Sequence, residues 1–161
     1  MTLAYVFWHW PAQSGGYEEA IARFHEALGR PGTATFRLEA APFDADDPPY
    51  EDWYPVEDWA AIGHLNDFAV TGERKPPHDA VAQRSRKGAG AVFKLVEGTL
   101  PIRDVTFAAW TSERPRSEGA AIWQRQLVLG PAPEYAVLAA SPVEVPPGAV
   151  LTRPRLVAAG A

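Results

Sequence analysis

Leu3-Ala4-Tyr5-Val6-Phe7-Trp8-His9-Trp10 stands at the start of the chain, and its alternation sets the rest of the reading. Leu3, Tyr5, Phe7 and His9 fall on one side of an extended backbone; Ala4, Val6, Trp8 and Trp10 fall on the other. Both sides are apolar or aromatic, the pattern of a strand covered on both faces. Pro11 cannot donate to a ladder and ends it. Ser14-Gly15-Gly16 makes a turn, and Tyr17 to Leu28 then carries Tyr17, Ala20, Ile21, Phe24 and Leu28 at helical spacing until Gly29 and Pro31 stop it.

Thr33 to Phe43 reads as a second strand, with Ala34, Phe36, Leu38 and Ala40 on one face and Thr35, Arg37 and Glu39 on the other. Asp44 to Asp52 is an acidic loop without the spacing or turn glycine of a calcium hand, so it is expected to be solvated. Trp53 to about Ala60 is a third extended segment, turning helical after Asp58, a suitable N-cap. His78 to Val96 has helical spacing through Val81, Ser85, Ala89, Val92 and Val96, with Gly88 and Gly90 placed for close packing. Asp104 to Ser112 reads as a strand, Ser117 to Leu127 as a helix and Tyr135 to Ser141 as a strand. Ala149 to Val157 reads as a last edge strand interrupted by Pro154.

The order is β-α-β-β-α-β followed by α-β. This predicts an α+β, ferredoxin-like fold with an antiparallel sheet and helices on one face. It makes a single domain over 1–161, with a core over 3–112 and a C-terminal extension over 113–161. The open sheet face needs a cover, and a second copy of the chain is the simplest one, which predicts a homodimer.

A chain of 161 residues with 47% apolar and 22% charged residues is a globular one able to bury a real core. It has no cysteine, so disulfides and thiolate metal sites are excluded. No apolar run reaches the length of a membrane span and the start lacks a signal-peptide pattern, so a cytoplasmic protein with no membrane partner is expected. The net charge of −5 argues against nucleic acid. Arginine outnumbers lysine 12 to 3, in keeping with a bacterial, GC-rich origin.

The element order, the length and the aromatic first strand resemble the dimeric α/β-barrel superfamily over residues 3 to 112. The stretch Trp123 to Tyr135 resembles a signature of uncharacterised bacterial proteins. The superfamily resemblance implies two ferredoxin-like sheets packed face to face around a pocket. Its cofactor-free monooxygenases and haem-degrading enzymes carry an asparagine on the first strand. Trp8 and His9 stand there instead, so no catalytic residue is carried over.

If the purely apolar face of the second strand meets the helices, Tyr5, Phe7 and His9 face the barrel interior with Arg37 and Glu39, while Val6 and Trp8 lie under the helices. Trp59, Trp110 and Glu57 add to that interior. Arg37 would hold a carboxylate or phenolate by paired hydrogen bonds, and His9 would act as acid or base near neutral pH. Arg125 either clamps an anionic ligand or ties down the Gly130-Pro131-Ala132-Pro133 loop. His64 and Asn66 stand at a pocket mouth or on a helix surface; His25 and His78 read as structural. No metal-ligand spacing, phosphate loop or dinucleotide fingerprint is present, so no metal and no cofactor are expected. Two functions stay open: a pocket for a small aromatic or anionic molecule, catalytic or not, and a non-catalytic dimeric module with a filled core.

Overall fold

The computed structural model describes residues 1–43 and 47–160. Strand β1 (Leu3–Pro11) lies between β3 (Tyr50–Val56) and β4 (Ser85–Glu97), antiparallel to both, with Val6 opposite Trp53 on one side and Ala91 on the other. Helix α1 (Tyr17–Leu28) buries the expected stripe and ends at Gly29, whose left-handed backbone (φ 56°) returns its N–H to the His25 carbonyl. Strand β2 (Ala34–Arg37) pairs with β3. Asp58 caps α2 (Trp59–Ala69) by accepting the Ala61 N–H at 2.9 Å, as its position in the sequence suggested. Two prolines in its first turn open α3 (Lys75–Ala82), where their missing N–H groups cost nothing.

The expected helix over His78 to Val96 stops at Ala82, and the rest is β4. Gly88 and Gly90 are weak helix formers, whereas Val92 and Phe93 favour a pleated backbone. The segment alternates, with Ala89, Ala91 and Phe93 in one core and Val92 in another. The helix expected over Ser117 to Leu127 is likewise strand β6 (Ala120–Leu129), with Ala121 and Trp123 facing inward. The remaining strands are β5 (Phe107–Thr111), β7 (Tyr135–Ala139), β8 (Val150–Thr152) and β9 (Arg155–Ala159), the last two separated at Pro154. The C-terminal part is therefore not an α-β appendix. It supplies four of the nine strands among the described residues.

All nine form one antiparallel sheet in the order β8-β5-β7-β6-β4-β1-β3-β2-β9. Its two edge strands, β8 and β9, are joined by only Arg153 and Pro154, so the sheet must curl until its edges meet. The Thr152 hydroxyl accepts the Glu39 N–H at 3.1 Å, tying the β8 end to the chain just beyond β2. The order also repeats. β4-β1-β3-β2 and β8-β5-β7-β6 follow one scheme, the fourth, first, third and second strand of each unit.

The inner side is packed with Trp8, Trp10, Trp53, Phe93, Trp110 and Trp123, drawn from both units. The chain's own C-terminal strands thus provide the cover that a second copy was expected to give. The faces of β1 are also the reverse of the expectation. Ala4, Val6, Trp8 and Trp10 point inward, and Tyr5, Phe7 and His9 lie on the helix side. The expectation assumed a polar, ligand-holding interior; a closed barrel filled by side chains instead takes the most apolar row.

One charged side chain does enter it. Both Glu51 carboxylate oxygens accept indole N–H groups, from Trp8 and Trp53, each at 2.6 Å. Burial pushes this carboxyl up to about 7, against the pull of the two indoles. From pH 4.5 to 7 the folded protein holds a proton that the unfolded chain has lost, so stability falls as pH rises, by about 3 kcal/mol over the window. Denaturant unfolding at pH 5 and pH 7.5 is expected to show this loss in the wild type and not in Glu51→Gln. Equal pH dependence in both proteins would remove Glu51 as its source.

Candidate functional site

β1 ends at Pro11, and Ala12 gives its N–H to the carbonyl of Arg84, the residue just before β4, at 2.8 Å. The turn through Gly16, with φ of 70°, then sets Tyr17 at the first position of α1, back over the end of β1. Ser85 arrives there from the other direction, as the first residue of β4 after α3, in register with Pro11. His9, Tyr17 and Ser85 meet at this corner. On β3, Tyr50, Asp52 and Tyr54 share the helix-side face, since Trp53 and Glu51 point inward.

A continuous hydrogen-bonded chain results. Ser85 Oγ lies 2.6 Å from the Tyr17 hydroxyl, which lies 2.6 Å from His9 Nδ1. His9 Nε2 lies 3.2 Å from Asp52 Oδ1. Asp52 also accepts the Thr35 hydroxyl at 2.5 Å and the Tyr54 hydroxyl at 3.1 Å. Burial raises the Asp52 carboxyl, but His9, Thr35 and His25 together hold it below its ordinary value. The Tyr17 hydroxyl, desolvated and near Asp52 and Tyr50, is pushed up to about 12 despite Ser85.

Proton counting fixes the deeper branch. Thr35 has one hydroxyl proton and gives it to Asp52, so His25 Nε2, 2.7 Å away, must be the donor to Thr35. Burial lowers the His25 imidazole, and its Nδ1 lies 3.2 Å from the Thr33 hydroxyl, which donates to the Arg30 carbonyl at 2.9 Å.

Above this network lies a cleft of about 500 Å³ between the sheet and the three helices. Its walls are Phe24 and Leu28 of α1, Ile62, Leu65 and Ala69 of α2, and Val81 of α3. Its floor is aromatic. The Tyr5, Phe7 and His9 rings follow one another along β1 at 6.2 and 5.9 Å with interplanar angles of 22° and 18°, and Tyr54 continues the row beside Tyr5 at 6.4 Å and 23°. The ring planes are thus nearly parallel along the row. The glycines of β4 leave room for the tips of two of them. A Cβ at Gly88 would stand 2.6 Å from the tip of Phe7, and one at Gly90 would stand 3.1 Å from the Tyr5 hydroxyl.

Of the residues singled out from sequence, Tyr5, Phe7 and His9 line this cleft together, with Asn66 and His78. Arg37 shares their side of the sheet, but its guanidinium sits over the Tyr50 ring at 4.7 Å, outside the lining. Glu39 and Glu57 are exposed beyond their strands, and Trp59 is exposed at the start of α2. His64 is exposed on α2, and His25 is buried in the network below. Trp110 is in the barrel interior, 5.3 Å from Trp8. Arg125 donates to the Ala132 carbonyl and pairs with Glu134 at 3.2 Å, so it ties the Gly130–Pro133 loop. Asp52, Tyr17, Tyr54 and Ser85 escaped the reading. The signal for two of them was Tyr50-x-Asp52-x-Tyr54, an acid between two tyrosines on one strand face. Asp44 and Asp46 of the acidic loop lie outside the described residues; Asp47 pairs with Arg86 at 2.5 Å. Among the described residues no cluster suits a metal ion.

No family model matches the sequence, and no curated protein matches it. Among solved structures, the chain is similar to a crystal structure of a protein provisionally named a chlorite dismutase, at 10% identity and a TM-score of 0.43, over 98% of this chain and 96% of that one. A likeness this distant gives the present chain neither a family nor an activity.

The glycine floor makes a direct prediction. In Gly88→Ala the Phe7 ring is expected to swing off β4 into the cleft. Because only a ring tip must move, the stability cost should stay under about 1 kcal/mol. A crystal structure of the variant with Phe7 unmoved would refute this account of the floor.

Proposed function

We propose that the cleft binds a small planar, largely apolar molecule laid on the aromatic floor, with its polar end toward His9, Asp52 and Ser85. The observation that carries this reading is the floor itself: a row of aromatic rings with nearly parallel planes, two of them seated against glycines of β4, beneath a cleft of about 500 Å³. That volume suits a ligand of one or two fused rings, and an apolar lining with a few convergent polar groups is what such ligands require. In this reading His9 is the acid–base group. Both its ring nitrogens are engaged, by Tyr17 and Asp52, so a proton would reach a ligand through Tyr17 and Ser85.

The fold fits the same proposal. We infer that each four-strand unit is ferredoxin-like and that the barrel is the dimeric α/β-barrel architecture drawn into one chain. The repeated strand order supports this, and only the first unit keeps helices over its outer face. The alternative of a filled structural module describes the tryptophan-packed interior well. It leaves the cleft on the outer side without a purpose.

Titration of the 15N-labelled protein with indole tests the binding reading. Saturable shifts are expected at Ser85, Gly88 and Gly90 and along α2, with the barrel interior unaffected. Absence of shifts at millimolar indole would sink it.

A further inference from the structure

We infer that this cleft, on the binding reading proposed above, selects a positively charged ligand, a flat aromatic ring bearing an alkylammonium group, over neutral and anionic ones. The argument begins with the cations near the cleft, each of which is committed elsewhere. Arg74 lies over the Phe68 ring at 3.6 Å and donates to the Phe68 carbonyl at 2.6 Å. Lys75 pairs with Asp79 at 2.6 Å, and Arg84 donates to the Gly16 carbonyl at 2.8 Å. No lysine or arginine stands in the described lining.

The donors of the lining are also turned inward. Tyr54 gives its hydroxyl proton to Asp52. The Ser85 hydroxyl has the Val81 carbonyl at 3.1 Å and Tyr17 at 2.6 Å to serve. His9 has Tyr17 and Asp52 on its two nitrogens, and His78 at the rim has Asp79 at 3.1 Å. A ligand therefore meets acceptor character. Among the described residues Asp52 is the one carboxylate in the lining, and its Oδ2 accepts the Tyr54 hydroxyl while Oδ1 faces His9 and Thr35. A protonated amine at the polar end of the ligand satisfies that acceptor character. A carboxylate in its place would face Asp52 with no lysine or arginine in the described lining to offset it.

Three probes share one ring system and differ in charge: indole, tryptamine and indole-3-acetate, each titrated into the wild-type protein by calorimetry or NMR. The expected order is tryptamine at least about tenfold tighter than indole, with indole-3-acetate weaker than indole. In Asp52→Asn the tryptamine preference over indole should shrink to within about twofold while indole itself still binds. Tryptamine no tighter than indole, or indole-3-acetate tighter than either, overturns the charge selection and leaves the planar-ligand reading standing. No binding by any of the three overturns that reading and this inference together. Because Asp52 holds three buried donors, its variant can fail to fold; the wild-type series then decides without it.

Discussion

Trp8 on β1 and Trp110 on β5 touch at 5.3 Å, although β4, β6 and β7 lie between their strands in the sheet. Four steps across a flat sheet would separate them by about 19 Å. The contact exists only because the sheet closes, and closure decides much else. It makes one face concave and dry, so that face takes the tryptophans. It makes the other convex, so side chains and helices on it diverge. Three short helices over the first unit then leave a gap, and the cleft is that gap. Over the second unit, Val143, Val145 and Ala149 from the stretch after β7 pack against the outer apolar residues.

β3 shows how one strand serves both sides. Glu51 and Asp52 are neighbours in sequence and both are buried, yet they face opposite ways. Glu51 has two neutral indole donors, which do not compensate for its desolvation. Asp52 has an imidazole and two hydroxyls, and stays ionised. The pair behave oppositely with pH: the Glu51 contribution fades as pH rises toward 7, and the Asp52 contribution is present above about pH 4 and fades below it.

The first half of the chain was legible in sequence where periodicity and punctuation agreed. α1 has a clean stripe between Gly16 and Gly29, and β1 alternates to Pro11. Asp58 marks a helix start. The reading failed at β4 and β6, where alanine, glycine and arginine dilute the apolar signal and spacings of three and four can be picked from a strand. Reading those two as helices hides the second unit and the closed barrel. The clustering of Tyr5, Phe7 and His9 survived that error, because residues two apart on a strand share a face whichever way the face points. Which side it faced did not survive, because that depended on the global architecture. Arg37, Trp110 and Arg125 were drawn in by chemistry alone, and their positions on the strands took them elsewhere.

The joint between β8 and β9 has a consequence for how the protein forms. Ten residues, from Val150 to Ala159, seal both edges of the sheet at once, one against β5 and the other against β2. Until they dock, two strand edges remain open to pairing with other chains, and most of the contacts that define the barrel join residues distant in sequence. Ribosomal synthesis delivers those residues after everything they must join. The molecule is therefore most exposed to aggregation in the interval between emergence of β7 and docking of β9, and the rate of that single late step sets how long the exposure lasts.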